Sequence, residues 1–187
     1  CYGEWGNASS TINAPASPAS TALAPMYIHD LPLGLKGITG EVSIAVVGDI
    51  TQIPRSVNTI YFGNLRTGSN ITGNWRDVPA GLTSLTFAGS LGSGHVIRFA
   101  LSEIPRNMTR LRFVSVTNAE VTGLIADLPR TLTVLTMSSM PSGSNVAGDL
   151  SSLGDGPFTE ISVNGQGVAN VTGRISANKL SVSIGVL

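Results

Sequence analysis

The sequence predicts a mainly β protein with little helix, its strands running parallel in a solenoid, and three observations carry that prediction. Gly48, Gly73, Gly123, Gly148 and Gly173 fall at intervals of 25, 50, 25 and 25 residues. Self-similarity at a fixed period between about 20 and 50 residues marks a solenoid, propeller or array. After its proline each unit repeats the phrase P-x-x-L-x-x-L-x-F, with Leu82, Leu85 and Phe87 in one copy, Met108, Leu111 and Phe113 in the next, then Leu132, Leu135 and Met137. Its last step alternates with period two, which puts both side chains on one face of a short strand. Each unit thus closes a loop around one apolar column that it cannot bury alone, so the core is the stack.

Composition narrows the function classes. Of 187 residues only 12% are charged and 42% are hydrophobic, and the formal net charge is zero, whereas ordinary soluble domains carry roughly 25% charged residues. Nothing attracts nucleic acid or an anionic membrane by bulk charge. Lys36 and Lys179 are the two lysines. A neutral, low-lysine chain rich in Thr, Asn and Gly suits an extracellular, cell-surface or virion β protein better than a cytosolic enzyme. The sequence has no apolar run near 18 residues, the length a membrane-spanning helix needs.

In chain order, residues 1–25 are Ser, Ala, Thr, Asn and Pro almost throughout and read as a flexible linker. Tyr2 and Trp5 are its aromatics and read as simply exposed, with docking on this domain or on a neighbour as the alternative. Cys1, the only cysteine, leaves no internal disulfide. A cysteine in first position before a polar stretch is the arrangement of a processed lipoprotein, which makes Cys1 a lipidation candidate and the one route to a membrane; a cleavage boundary is the alternative. Residues 26–187 read as the solenoid, about six or seven rungs beginning with the partial rung "YIHDLPLGLKGITG". Two residues before the glycine stands a β-branched residue (Val46, Ile71, Val121, Val146, Val171), and two after it a large apolar one (Ile50, Trp75, Ile125, Leu150, Ile175). Proline follows at Pro54, Pro79, Pro105 and Pro129. The rung "VIRFALSEIPRNMTRLRF" carries one extra residue and lacks the glycine, which accounts for the interval of 50.

The proline phrase, with "N-[VI]-x-G-x-[IL]-x-x-[LIV]-P" before it, resembles the leucine-rich repeat, in the LxGxIPxxL form of plant receptors and of bacterial and phage surface proteins. The resemblance covers roughly Tyr27 to Val163 and implies a recognition or structural role without a cofactor. Two departures stand out. The Asn expected two residues after the Leu-x-Leu pair is present as Asn64, but Gly89, Ser115, Ser139 and Gly165 hold that place later. Asn recurs instead three before the glycine, at Asn70, Asn145 and Asn170. A plain parallel β-helix is the alternative architecture.

Several motifs have competing readings. Asn70-Ile71-Thr72 and Asn170-Val171-Thr172 spell glycosylation sequons, but they coincide with the repeat consensus, where stacked amides can satisfy backbone groups. Asn107-Met108-Thr109 and Asn7-Ala8-Ser9 are two more, and Asn7, in the flexible segment, is the best sugar acceptor of the four if the source is eukaryotic. Asp30, Gln52, Asp77, Glu103 and Asp127 form a column two residues before the proline, with Arg55, Arg106 and Arg130 just after it. Stacked carboxylates can take calcium. Without an Asp-x-Asp-x-Asp loop to concentrate the oxygens, the column reads as a solvated face of pairs worth roughly 0–1 kcal/mol each.

His29 and His95 lie in different rungs, and no phosphate-binding loop, dinucleotide fingerprint or HExxH occurs. Asp49 and Asp149 flank the glycine, but Asn74 and Leu124 intervene, so no acid pair of the glycosidase kind is evident. No enzyme, metal site or cofactor is expected. The chain ends in "KLSVSIGVL", where Leu180, Val182, Ile184 and Val186 alternate as an uncapped strand. An uncovered solenoid end invites another subunit, and head-to-tail covering that does not close gives a filament. The expected function is therefore a non-enzymatic extracellular structural or adhesive module whose partner is protein, itself included, or a glycan. The second reading is ligand recognition through the residues flanking the alternating core positions: Tyr61, Thr86, Arg110, Arg112 and Thr136, with Thr59, Ser84 and Val134 beside them. A polysaccharide-active β-helix is the third.

Overall fold

The computed structural model describes residues 11–13, 24–41, 45–89, 97–117, 119–141, 143–154, 156–168, 170–173 and 181–185. In chain order its strands are β1 (Thr11–Asn13), β2 (Met26–Tyr27), β3 (Gly37–Glu41), β4 (Val46–Asp49), β5 (Thr59–Gly63), β6 (Asn70–Thr72), β7 (Ser84–Ala88) and β8 (Ile97–Ala100). They continue as β9 (Arg110–Val114), β10 (Ala119–Leu124), β11 (Val134–Ser138), β12 (Asn145–Asp149), β13 (Glu160–Asn164), β14 (Asn170–Thr172) and β15 (Ser181–Gly185). An eight-stranded sheet has the order β1-β3-β5-β7-β9-β11-β13-β15; a three-stranded sheet runs β2-β4-β6 and a four-stranded one β14-β12-β10-β8. Every pairing is parallel. The protein is mainly β, its helical elements are short 3₁₀ turns, and its order is the one a parallel β-solenoid requires. The first strand falls inside the segment read as linker: Thr11, Ile12 and Asn13 pair with Gly37, Ile38 and Thr39. The rest of residues 1–23, Cys1, Tyr2, Trp5 and Asn7 included, lies outside the described residues.

The strands β3, β5, β7 and β9 of the main sheet are each followed by a short strand, a 3₁₀ turn and a proline corner. The 3₁₀ turn stays short because of the proline. Ile53 N–H donates to the Ile50 carbonyl at 3.1 Å, closing one turn, and Ile53 then sits at φ −61°, ψ 128°, the extended backbone imposed on a residue before proline. Val78, Ile104 and Leu128 repeat this. In the rung "LSSLGDGPF" no proline follows at that place. There the turn Leu150–Leu153 is one residue longer and ends on Gly154 at φ 62°, ψ −155°, a backbone region open essentially to glycine alone.

The core is built of columns. Ile60, Leu85, Leu111, Leu135 and Ile161 form one in register along the main sheet, with Phe62, Phe87, Phe113, Met137 and Val163 beside it, all at most 1% exposed. Aromatic rings thread the middle rungs. Phe87 stacks on Phe113 at 5.7 Å between ring centres and meets Trp75 edge-on at 5.1 Å. Phe99 packs on Trp75 and Phe113 at 5.4 Å each. Phe99 precedes Leu101 by two residues, as Gly123 precedes Ile125, so it is the residue in the missing glycine's place, and it is buried. From Ile97 onward this rung matches the length of the next, so the extra residue lies before Ile97.

A ladder of threonines ties the rungs together at the entrance to the main strands. The Thr83 carbonyl accepts from Thr109 N–H at 2.8 Å, Arg110 N–H at 3.0 Å and the Thr109 hydroxyl at 3.0 Å. The Asn58 carbonyl is served in the same way by Thr83 and Ser84, the Thr109 carbonyl by Thr133 and Val134, and the Thr133 carbonyl by Thr159 and Glu160. Each threonine hydroxyl lies 24 to 26 positions after the carbonyl it serves. Replacing Thr109 by Val keeps the shape and removes one donor, with an expected cost of about 0.5–1.5 kcal/mol in urea denaturation. Thr109→Ser should lose less. Truncating Phe87 to Ala should cost about 3–5 kcal/mol in the same measurement.

Candidate recognition face

The side chains that alternate with the core columns point away from the core on the eight-stranded sheet. Register places Tyr61, Thr86, Arg112, Thr136 and Ser162 in one row, and Thr59, Ser84, Arg110, Val134 and Glu160 in the row beside it. The five residues singled out in sequence, Tyr61, Thr86, Arg110, Arg112 and Thr136, therefore share one face. Their exposure is uneven. Arg110 is exposed, Tyr61 and Arg112 are half-buried, and Thr86 and Thr136 are buried. Val134, apolar and outward-facing, is only 5% exposed.

Longer neighbours cover these residues. Arg112 reaches across β11, and its Nη2 meets the Glu160 carboxylate on β13 at 2.6 Å. The other Glu160 oxygen accepts from the Thr136 hydroxyl at 3.2 Å. This ion pair bridges the strand that carries Val134 and Thr136. The Tyr61 ring lies along its own strand, where a Cβ added at Gly63 would stand 2.8 Å from a ring carbon. Sequence reasoning named the Arg and Thr positions but missed Glu160, because the pairing crosses an intervening strand and has no local spacing to betray it.

The other motifs resolve into scaffold. Asp49 and Asp149 cap the 3₁₀ turns: their Oδ1 atoms accept from Thr51 N–H at 2.8 Å and Ser151 N–H at 2.7 Å. Hydrogen bonds from Thr51 and Ser151 to the ionised form hold both carboxyls below the usual carboxylate range. Gly73 lies over the first cap at φ 99°, and a Cβ there would sit 2.5 Å from Asp49 Oδ1. Asp30, Gln52, Asp77, Glu103 and Asp127 each end a 3₁₀ turn. Glu103 pairs with Arg76 at 3.0 Å, and Arg98 with Glu120 at 3.0 Å. Among the described residues no three His, Cys, Asp or Glu side chains come together as metal ligands, and no helix is long and apolar enough to cross a membrane.

The asparagines behave differently from the stacked amides expected of them: Asn70, Asn145 and Asn170 are exposed at the first position of their strands. Buried serines stand just before two of them. Ser69 Oγ accepts from Val46 N–H at 3.1 Å and donates to the Arg66 carbonyl at 2.8 Å. Ser144 Oγ accepts from Val121 N–H at 3.1 Å. Their signal was the shared phrase Ser-Asn before the β-branched residue. The other Asn position is a conformational column: Asn64, Gly89, Ser115, Ser139 and Gly165 all have positive φ, from 44° to 107°. Leu180, Val186 and His95 lie outside the described residues. Val182 and Ile184 lie on β15, in register with the buried Ile161 and Val163.

The lowered carboxyls fix a pH dependence. A carboxyl whose folded value lies below its unfolded one stabilises the fold at pH values above about 4 and loses that contribution as pH falls through the lowered folded value. Asp49→Ala should cost about 1 kcal/mol at pH 7, and the gap to the parent protein should narrow steadily below pH ~4 in urea titrations. The chain matches no protein-family model and has no significant match among curated proteins.

Proposed function

We propose that the protein is a non-enzymatic, extracellular adhesive or recognition module of leucine-rich-repeat type that engages its partner with the outer face of the eight-stranded sheet. The observation that supports this is the Arg112–Glu160 pair, with Arg110 exposed beside it and half-buried Tyr61 at one side. Polar side chains fixed in rows on a rigid parallel sheet form a preorganised surface, and preorganisation lowers the entropy cost of binding.

A second reading has its own observation. Among the described residues the outermost strands of the main sheet are β1 and β15, both parallel to their neighbours, so β1 of a second copy can add to β15 in the same sense. Identical units joined that way form a head-to-tail assembly.

The test separates the two. Ser84→Tyr and Ser162→Tyr place bulk on the outer face, while Ser102→Tyr places it on an exposed 3₁₀ turn. With arrayed glycans and surface proteins as probes, the face reading expects the first two variants to lose at least about tenfold in affinity, a loss of about 1.4 kcal/mol, and the third to bind normally. Loss of binding only in Ser102→Tyr contradicts it. Particles whose mass grows with concentration in light scattering, unaffected by all three variants, favour assembly.

A further inference from the structure

The Arg112–Glu160 pair has a defect that points to its use. Glu160 meets Arg112 only through Nη2, while the Arg112 Nε–H is buried without a hydrogen-bond partner. A guanidinium is best satisfied when a carboxylate takes two parallel N–H groups in a fork. A buried donor left unpaired is a standing cost. Glu160 therefore holds Arg112 from the far side of β11 without completing the recognition its shape allows. Arg110 stands two residues away on the same face, exposed and with no acid within ion-pair distance among the described residues.

We propose that Glu160 is a built-in stand-in for the carboxylate of an acidic peptide segment, which docks across β9 and β11 between Arg110 and Arg112 and displaces Glu160 from Arg112. The proposal rests on the outer face being the binding face. Three features select the class of ligand. Among the side chains described on this face the charges are Arg110, Arg112 and Glu160, too few for a polyanion such as nucleic acid, whose binding draws on many phosphate contacts. Two arginines about 7 Å apart along one strand, at roughly 3.3–3.4 Å per residue, match one or two carboxylates. Between Arg110 and Glu160 in the same outward row stands Val134, 5% exposed, which displacement of Glu160 would uncover and which an apolar side chain next to the ligand's carboxylate would bury again. A sugar acid offers no such group.

The decisive variant is Glu160→Gln, which keeps the size and one acceptor oxygen but removes the competing charge. The probe is a fluorescein-labelled peptide of alternating glutamate and leucine. Two controls accompany it: the same peptide with glutamine for glutamate, and an oligomer of galacturonic acid. Expected by fluorescence anisotropy is at least a tenfold tighter Kd for Glu160→Gln than for the parent protein, loss of binding in Arg112→Lys and Arg110→Ala, and no binding of the glutamine peptide. Circular dichroism of each variant checks that the fold is kept. Weaker or unchanged affinity in Glu160→Gln overturns the stand-in role, because a merely positioning glutamate would strengthen binding when present. Arginine-dependent capture of the uronate with no capture of the peptide overturns the ligand class. If no peptide binds while the Ser84→Tyr-sensitive partner still does, the proposal fails and the face reading survives; if that partner's binding is also insensitive to the outer face, both fail.

Discussion

The register of the middle rungs depends on one backbone carbonyl in each, at Asn58, Thr83, Thr109 and Thr133, that accepts three donors from the rung that follows. A parallel stack has no hairpins to set its register, so the register must come from contacts that repeat at the rung period. The apolar columns cannot do this alone, since hydrophobic contact is non-directional. The threonine ladder is directional. At each step two amides and one hydroxyl of the following rung converge on the carbonyl of the residue before the strand. A slip by one residue would forfeit these bonds and turn every core side chain outward.

Fixed register has consequences on both surfaces of the main sheet. Inward, it brings Phe62, Phe87 and Phe113 into one aromatic column. Outward, it lines up Thr86, Arg112 and Thr136, so that one long arginine can cross a strand to reach Glu160. The candidate recognition face and the core are thus two products of the same stacking rule. The corners obey a related constraint: where a rung ends in a capping aspartate, as at Asp49, the next rung must pass over it without a side chain, and Gly73 does.

The parallel β architecture was legible because its signals are periodic. The glycine interval, the proline phrase and the Leu-x-Phe alternation each recur often enough to survive a disguised rung. What was not legible was chemistry carried by ordinary residues. Thr83, Thr109, Thr133 and Thr159 look like strand-edge polar residues until their hydroxyls are seen bonded to the rung before. Asn64, Gly89, Ser115, Ser139 and Gly165 share no side-chain chemistry, only a tolerated left-handed backbone. Of the candidate recognition face, the outward positions followed from alternation, but the pairing did not, because Arg112 meets Glu160 across the intervening strand β11. The strand Thr11–Asn13 was hidden in a polar segment since three residues are too few to show a period.

The central claim is that the carbonyl ladder holds the stack in register, and amide hydrogen exchange tests it directly. If the ladder holds the stack, the amides of Thr83, Thr109, Thr133 and Thr159 exchange only through the largest opening events, as slowly as those of Leu85 and Leu111 in the core strands. Exchange of these threonine amides through small local fluctuations, at rates typical of the proline corners while the core strands stay protected, would contradict the account.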